Sequence, residues 1–176
     1  MKIYELSFDY KYSVADIIKS KDGTDSLDLS VSTPTIANNF MYGWLQGESE
    51  IIPDFICIMM NLWGCKSEIT PHLKKLMPTI NFQEIEVGNL KYTMFFNVPL
   101  LSGVLNLKKS SVSRFSNGDI LRIKEAVFYP SDYPEIFIVE EMPSSCFCNE
   151  EFKKFIENKF SGVLFKECKI KSKSWF

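Results

Sequence analysis

A chain of 176 residues that is 45% hydrophobic, 24% charged and 14% aromatic can bury about 70% of its unfolded surface as one large domain or two very small ones. That excludes a disordered segment or a collagen-like fibre. Lys and Arg number 20 against 22 Asp and Glu, a net charge of -2, so neither nucleic acid nor anionic lipid is expected as the primary partner.

The start, Met1-Lys2-Ile3-Tyr4-Glu5, lacks the pattern of a secretory leader. The longest apolar run, residues 55–60, is strand-sized rather than the ~20 residues of a membrane span. A soluble, cytoplasmic protein is therefore expected. Tyr4, Leu6, Phe8 and Tyr10 alternate with Glu5, Ser7, Asp9 and Lys11, which predicts a first strand with one wet face. Residues 19–32 are small, polar or acidic and read as an exposed loop. Residues 40–45 are aromatic but broken by Gly43, Gly47-Glu48 reads as a turn, and 54–63 suits a buried strand or a short core helix equally. The secondary structure of residues 36–63 stays open at this level.

Ser67 is placed to cap a helix carrying Ile69, Leu73, Leu76 and Met77, with Pro71 in its first turn and Pro78 beyond its end. Gly88-Asn89 joins strands 82–87 and 90–98 as a tight hairpin, the second alternating at Leu90, Tyr92, Met94, Phe96 and Val98. A turn at Asn117-Gly118 precedes a strand over 120–128, and the 130–134 loop leads into a strand over 135–140. Asn149 caps a helix with Glu150 and Glu151 in its first turn, Phe152, Phe155, Ile156 and Phe160 as its buried stripe and Gly162 as its stop. A last strand follows over 163–168. The class is α+β, with a mixed, mainly antiparallel sheet and a few connecting helices. The chain reads as one domain over 1–176; an amino-terminal lobe up to Met77 and a carboxy-terminal lobe from Pro78 is the division open to it.

Motifs for catalysis are missing: no nucleophile elbow, phosphate-cradling Gly loop, dinucleotide fingerprint or paired-histidine zinc helix occurs. His72 is the single histidine and the five Cys are irregularly spaced, which fits free thiols in a reducing compartment. Cys146-Phe147-Cys148 lacks the two-residue spacer of common metal and redox sites. No metal and no cofactor are expected. A thiol among Cys57, Cys65, Cys146 and Cys148 becomes a nucleophile only if the fold sets it beside a base such as His72. The carboxylate pairs Glu84/Glu86, Glu140/Glu141 and Glu150/Glu151 are explained by solvation or helix-dipole complementarity, so no catalytic residues are assigned. Acidic residues gather at Asp22, Asp25 and Asp28 and at Glu48, Glu50 and Asp54. Lys166, Lys169, Lys171 and Lys173 read as a solubilising tail.

The segments Ile136-Phe137-Ile138, Cys148-Asn149-Glu150-Glu151-Phe152-Lys153-Lys154-Phe155-Ile156-Glu157 and Phe160-Ser161-Gly162-Val163-Leu164-Phe165 resemble the closing part of an immunity-protein family of bacterial polymorphic toxin systems, the immunity eleven type. There an Ile-Phe strand leads to a capped helix, a Gly and an apolar-x-Phe strand. The helix after Ser67, the 82–98 hairpin, Leu105-Asn106-Leu107-Lys108-Lys109-Ser110 and the 120–128 strand match in the same order, so the resemblance covers roughly residues 40–168 and is strongest over 67–168. The run Ser144-Ser145-Cys146-Phe147-Cys148 departs from the family's shorter approach to the cap. The resemblance implies a non-enzymatic, cytoplasmic protector that binds the toxin domain encoded beside it. It carries no contact residues; the sequence itself offers Trp44 with Glu48, Glu50 and Asp54, an aromatic anchor beside carboxylates suited to a basic cleft, and the loop of Tyr129, Asp132 and Tyr133. Two other readings stand beside it. A small cysteine-dependent enzyme would show a thiol alkylated unusually fast below pH 7, and a regulatory or scaffolding module would lack a toxin gene as neighbour. Eighteen Lys against two Arg suggest an AT-rich genome.

Overall fold

The computed structural model describes residues 1–20, 40–45, 49–58 and 62–171, with the backbone alone at Lys19. Strand dominates, pairing is mostly antiparallel, and the described residues include two short helices. The α+β class holds in this coarse form. The chain divides into two compact units interleaved in sequence, with no boundary near Met77. One comprises Met1–Ser7, Pro99–Phe155 and the chain from Phe165; the other comprises Phe8–Val98 and Ile156–Leu164.

In the first unit, β1 (Ile3–Phe8) lies within a six-stranded mixed sheet. The other members are β8 (Leu100–Leu101), β11 (Val127–Phe128), β12 (Ile136–Val139), β13 (Met142–Asn149) and β14 (Val163–Ile170), in the order β11-β14-β1-β13-β12-β8. β1 pairs antiparallel with β13, Ile3 opposite Asn149 and Leu6 opposite Cys146. The expected alternation holds from Tyr4 to Phe8, but the strand stops there and Tyr10 is solvent-exposed past the turn. The run at 144–148, whose structure the family pattern left in doubt, is the inner end of β13. Cys146, Phe147 and Cys148 are all buried, Cys146 and Cys148 opposite Leu6 and Tyr4 in the ladder and Phe147 opposite Glu5. A strand covered on both faces loses its polar alternation, which is why no strand was legible there. Phe147 enters a core with Ile3, Leu105, Ile123, Phe128, Tyr133, Phe137 and Val139. Its ring stacks on Phe137 at 5.8 Å and meets Phe128 edge-on at 5.2 Å, contacts worth about 0.5–1.5 kcal/mol each beyond area burial.

The strand expected over 120–128 divides at Ala126. β9 (Ser111–Arg114) and β10 (Ile120–Glu125) form a separate two-stranded ribbon, while β11 runs parallel to β14 in the main sheet. The lysines read as a tail belong to β14 as far as residue 169, where Lys166 pairs with Glu5 and Lys169 with Glu125 at the surface; Lys173 lies outside the described residues.

Helix α2 (Glu150–Ile156) begins as its sequence predicts. Asn149 Oδ1 accepts hydrogen bonds from the backbone N–H groups of Glu151 and Phe152, each at 3.0 Å. The Asn149 amide donates to the buried Tyr133 carbonyl at 3.2 Å. Asn149→Ala should therefore destabilise by about 2 kcal/mol, at the high end for a cap because the Tyr133 carbonyl also loses its donor. Asn149→Asp, which keeps the cap oxygen alone, should fall between, with urea midpoints giving the order.

The second unit is a rolled sheet in the order β2-β3-β6-β7-β5-β4. Its strands are β2 (Ala15–Ser20), β3 (Phe40–Trp44), β4 (Phe55–Ile58), β5 (Leu62–Lys66), β6 (Asn81–Val87) and β7 (Leu90–Phe96). The end strands β2 and β4 approach each other, and one apolar cluster draws from all six strands: Ala15, Tyr42, Ile56, Ile58, Leu62, Ile85, Val87, Tyr92, Met94 and Phe96. That is a barrel-like interior. The 54–63 ambiguity resolves as strand, with Phe55 opposite Cys65 and Cys57 opposite Trp63. The predicted β6–β7 hairpin is present with Gly88 at φ +63°. Its second strand is buried on both faces from Tyr92 to Phe96 rather than alternating: Tyr92, Met94 and Phe96 enter the apolar cluster, while Phe95 meets Phe55 and Phe82 edge-on at 6.4 and 5.6 Å. Helix α1 (Thr70–Leu76) contributes the fully buried Leu73.

Ser67 does not cap α1. The cap position is Ile69, already helical at φ -82° and ψ -26°, and the helix follows β5 through a tight turn in which Thr70 N–H donates to the Ser67 carbonyl. A side-chain cap requires an extended residue, and the Ser67 hydroxyl instead bonds Thr93 Oγ1 at 3.1 Å. Pro71 sits in the first turn as expected.

Candidate protein-interaction surface

β2 and β3 place alternate residues on two sides. Ala15, Ile17, Phe40, Tyr42 and Trp44 turn into the cluster of the second unit. Asp16, Ile18, Met41 and Gly43 turn out. A Cβ on Gly43 would sit 2.8 Å from Ile18 Cγ1, so the glycine lets the isoleucine lie across its neighbour strand. Both Ile18 and Met41 are about half exposed. Leu45 N–H donates to Val14 O, while the backbone and hydroxyl of Ser13 donate to Ile51 O and Ser49 O. Those bonds hold exposed Leu45, Ile51 and Glu50 at the start of β2. Four large apolar side chains are thus presented to solvent beside the carboxylates of Asp16 and Glu50. Full burial of such a side chain stabilises a complex by about 1.5–3 kcal/mol.

The residues singled out from the sequence separate into different roles. Trp44 is half buried and meets Tyr92 edge-on at 5.8 Å, with its indole against Gly88; it props the surface from behind. Glu50 is exposed on that surface, whereas Glu48, Gly47 and the acidic group Asp22, Asp25 and Asp28 lie outside the described residues. Asp54 is engaged within its own unit. Its Oδ1 takes the Lys66 ammonium at 2.8 Å, and its Oδ2 accepts from Ser161 N–H and Oγ–H at 2.9 Å each. Partial burial pushes this carboxyl up, but the Lys66 and Ser161 hydrogen bonds outweigh it and hold the group below its usual range.

Tyr129, Asp132 and Tyr133 belong to the first unit. Tyr133 is a core residue, stacked on Phe137 at 5.2 Å with its hydroxyl donating to Tyr129 O at 2.6 Å. Asp132 is exposed and Tyr129 half buried. The residues missed by sequence reasoning are Ile18, Met41, Leu45 and Ile51. For Ile18 and Met41 the signal was present only as an apolar residue on the second face of strands whose first face was also apolar; Leu45 and Ile51 lie outside the strands.

Burial pushes the thiols of Cys57, Cys65 and Cys168 up to about 12 and that of Cys148 up further. A thiol so raised is protonated at neutral pH and a poor nucleophile. His72 is exposed on α1. Among the described residues no group of three or more His, Cys, Asp or Glu could hold a metal, and no helix is long and apolar enough to cross a membrane. Searches of family models and of curated proteins find no match to this chain.

Proposed function

We propose that this chain is an immunity-type protector, a cytoplasmic protein that binds a bacterial toxin domain made beside it and blocks that domain by occupying its surface. The observation that carries the reading is the outward face of β2 and β3 together with the chain tied to the start of β2, where Ile18, Met41, Leu45 and Ile51 are exposed along with Glu50, and Asp16 is partly exposed. Apolar contacts ringed by charge are what a protein partner recognises. The reading is further supported by the sequence's resemblance to the immunity family, strongest over 67–168, and by thiols of Cys57, Cys65, Cys148 and Cys168 that burial keeps protonated, which weighs against the cysteine-dependent enzyme.

The test is growth of cells expressing the carboxy-terminal domain of the large protein encoded upstream, with and without this chain. Rescue with a co-purified complex supports the reading. Rescue without a complex turns it toward an enzyme that reverses the damage, and absence of rescue ends it. Within a complex, reversing charge at Glu48 and Glu50 should slow association about tenfold at low ionic strength and far less at high. Stopped-flow association rates read this directly, and rates unchanged at low salt would remove the acidic side of the surface.

A further inference from the structure

The β9–β10 ribbon stands apart from both six-stranded sheets, and its sequence is unlike the rest of the chain. The protein's two arginines, Arg114 and Arg122, both lie on it. Its inner side is fixed by Val112, Ile120 and Ile123, which pack on the core of the first unit. Ile120 and Ile123 are three residues apart, an odd spacing that a regular strand cannot direct to one face. An irregularity between Ile120 and Arg122 supplies the extra residue, and extra residues of this kind re-aim side chains. Consecutive Leu121 and Arg122 are both left exposed.

At the ribbon's end Phe115 is 53% exposed, and Leu121 on the facing strand is 55% exposed. Arg114 is held there by its guanidinium donating to Gly118 O at 2.8 Å. The acidic side chains of the ribbon are already engaged. Asp119 accepts from Asn117 Nδ2 at 2.7 Å, and Glu125 pairs with Lys169 at 2.9 Å. Arg122 and Lys124 form no ion pair with any described residue. Cationic charge and two half-exposed apolar side chains therefore share one small ribbon.

We propose that the β9–β10 ribbon is a docking element for an acidic protein surface, with Phe115 and Leu121 as its apolar contacts and Arg122 as its carboxylate-binding group. Arginine and aromatic residues are enriched where proteins bind proteins, and a guanidinium pairs a carboxylate in two-point geometry. A second copy of this ribbon would oppose like charges, and nucleic acid is disfavoured by the net charge of -2 and by aliphatic Leu121 where a stacking platform would be needed. The proposal stands on the ribbon alone and holds whether or not the acidic partner is a toxin.

The test titrates the full-length chain into three fluorescein-labelled probes: a peptide of Glu residues interspersed with Leu, the same peptide with Lys for Glu, and a single-stranded oligonucleotide of equal negative charge. The Glu/Leu peptide should bind, weaken about tenfold between low and high salt, and shift the amide resonances of residues 111–125. Arg122→Glu should weaken it about tenfold, and the exposed pair Phe115→Ser with Leu121→Ser about fivefold, both with the chain's circular dichroism unchanged. No preference for the Glu/Leu peptide over the Lys peptide, preference for the oligonucleotide, or binding indifferent to both variants would each overturn the proposal.

Discussion

Replacing Gly162 by alanine is expected to cost the second unit about 3–5 kcal/mol, more than any other single methyl group added at a described glycine of positive φ. Gly162 has φ +100°, a conformation that side-chain-bearing residues avoid. An added Cβ would also overlap the Phe55 carbonyl oxygen and lie 3.0 Å from Pro53 Cβ. Neither neighbour is a flexible side-chain tip. The Phe55 backbone is fixed by the β4–β5 ladder and by its N–H donating to Ser161 O at 2.9 Å, and Gly162 O in turn accepts from Asp9 N–H at 3.1 Å. Gly118 provides the comparison, since φ is +92° but no atom lies within 4 Å of its Cβ position. Gly118→Ala should cost about 1 kcal/mol, the backbone term alone. Urea denaturation followed by far-ultraviolet circular dichroism, which reads the strands of both units, measures both. Equal losses at the two glycines would mean that the close approach to Phe55 carries no weight.

Asp54→Ala is expected to be nearly as damaging, at about 3 kcal/mol. The carboxylate joins residues distant in sequence: Lys66 is 12 positions away and Ser161 is 107. Removing it leaves the Lys66 ammonium, which is only 30% exposed, without its counter-ion, and the Ser161 N–H and hydroxyl without their acceptor. Stranding such groups costs more than the hydrogen bonds themselves contribute. Because the folded carboxyl is held below its ordinary range, its contribution is complete above about pH 5 and is lost as pH falls from about 4 through the folded value. Wild type should accordingly lose stability in acid more steeply than Asp54→Ala over that interval. Parallel stability curves for the two proteins from pH 6 to the acid limit would refute the assignment.

Asp54 also shows where sequence reading stopped. Beside Glu48 and Glu50 it looked like one more surface carboxylate, because the partners that withdraw it come from β5 and from the stretch after α2. Tyr133, between Pro130 and Pro134, had the sequence neighbourhood of a loop tip, yet its ring is packed in the aromatic core. Local geometry was more legible. Gly88-Asn89 specified a hairpin and Asn149 a helix start because each demands a backbone shape or a side-chain acceptor within a few residues, whereas Gly162 is not the helix stop: α2 ends at Ile156, before Phe160, and Asn158 takes the left-handed φ of +64° just beyond it. Ser67 failed as a cap because the path out of β5 brings the chain into the helix already turned. The buried half of β13 was hidden because burial on both faces erases the alternation by which strands are recognised. The outer face of β2 and β3 was hidden because Ile18 and Met41 are apolar although exposed, so these strands do not show the clean apolar/polar alternation either. The ribbon's outward pair, Leu121 and Arg122, rests on an irregularity in strand pairing that no composition rule announces.

The pairing of β1 with β13 has a consequence for how the protein is made. Ile3 leaves the ribosome long before its partner Asn149, and at ~5–20 residues per second the interval is roughly 7 to 30 s. Throughout that time Ile3, Tyr4, Leu6 and Phe8 belong to a nascent strand whose neighbours β13 and β14 have not been synthesised. β1 is therefore made well before the two strands that flank it in the sheet. During synthesis that segment is a natural client for chaperones that hold apolar strands apart, and slowing translation would lengthen its exposure without changing the finished fold.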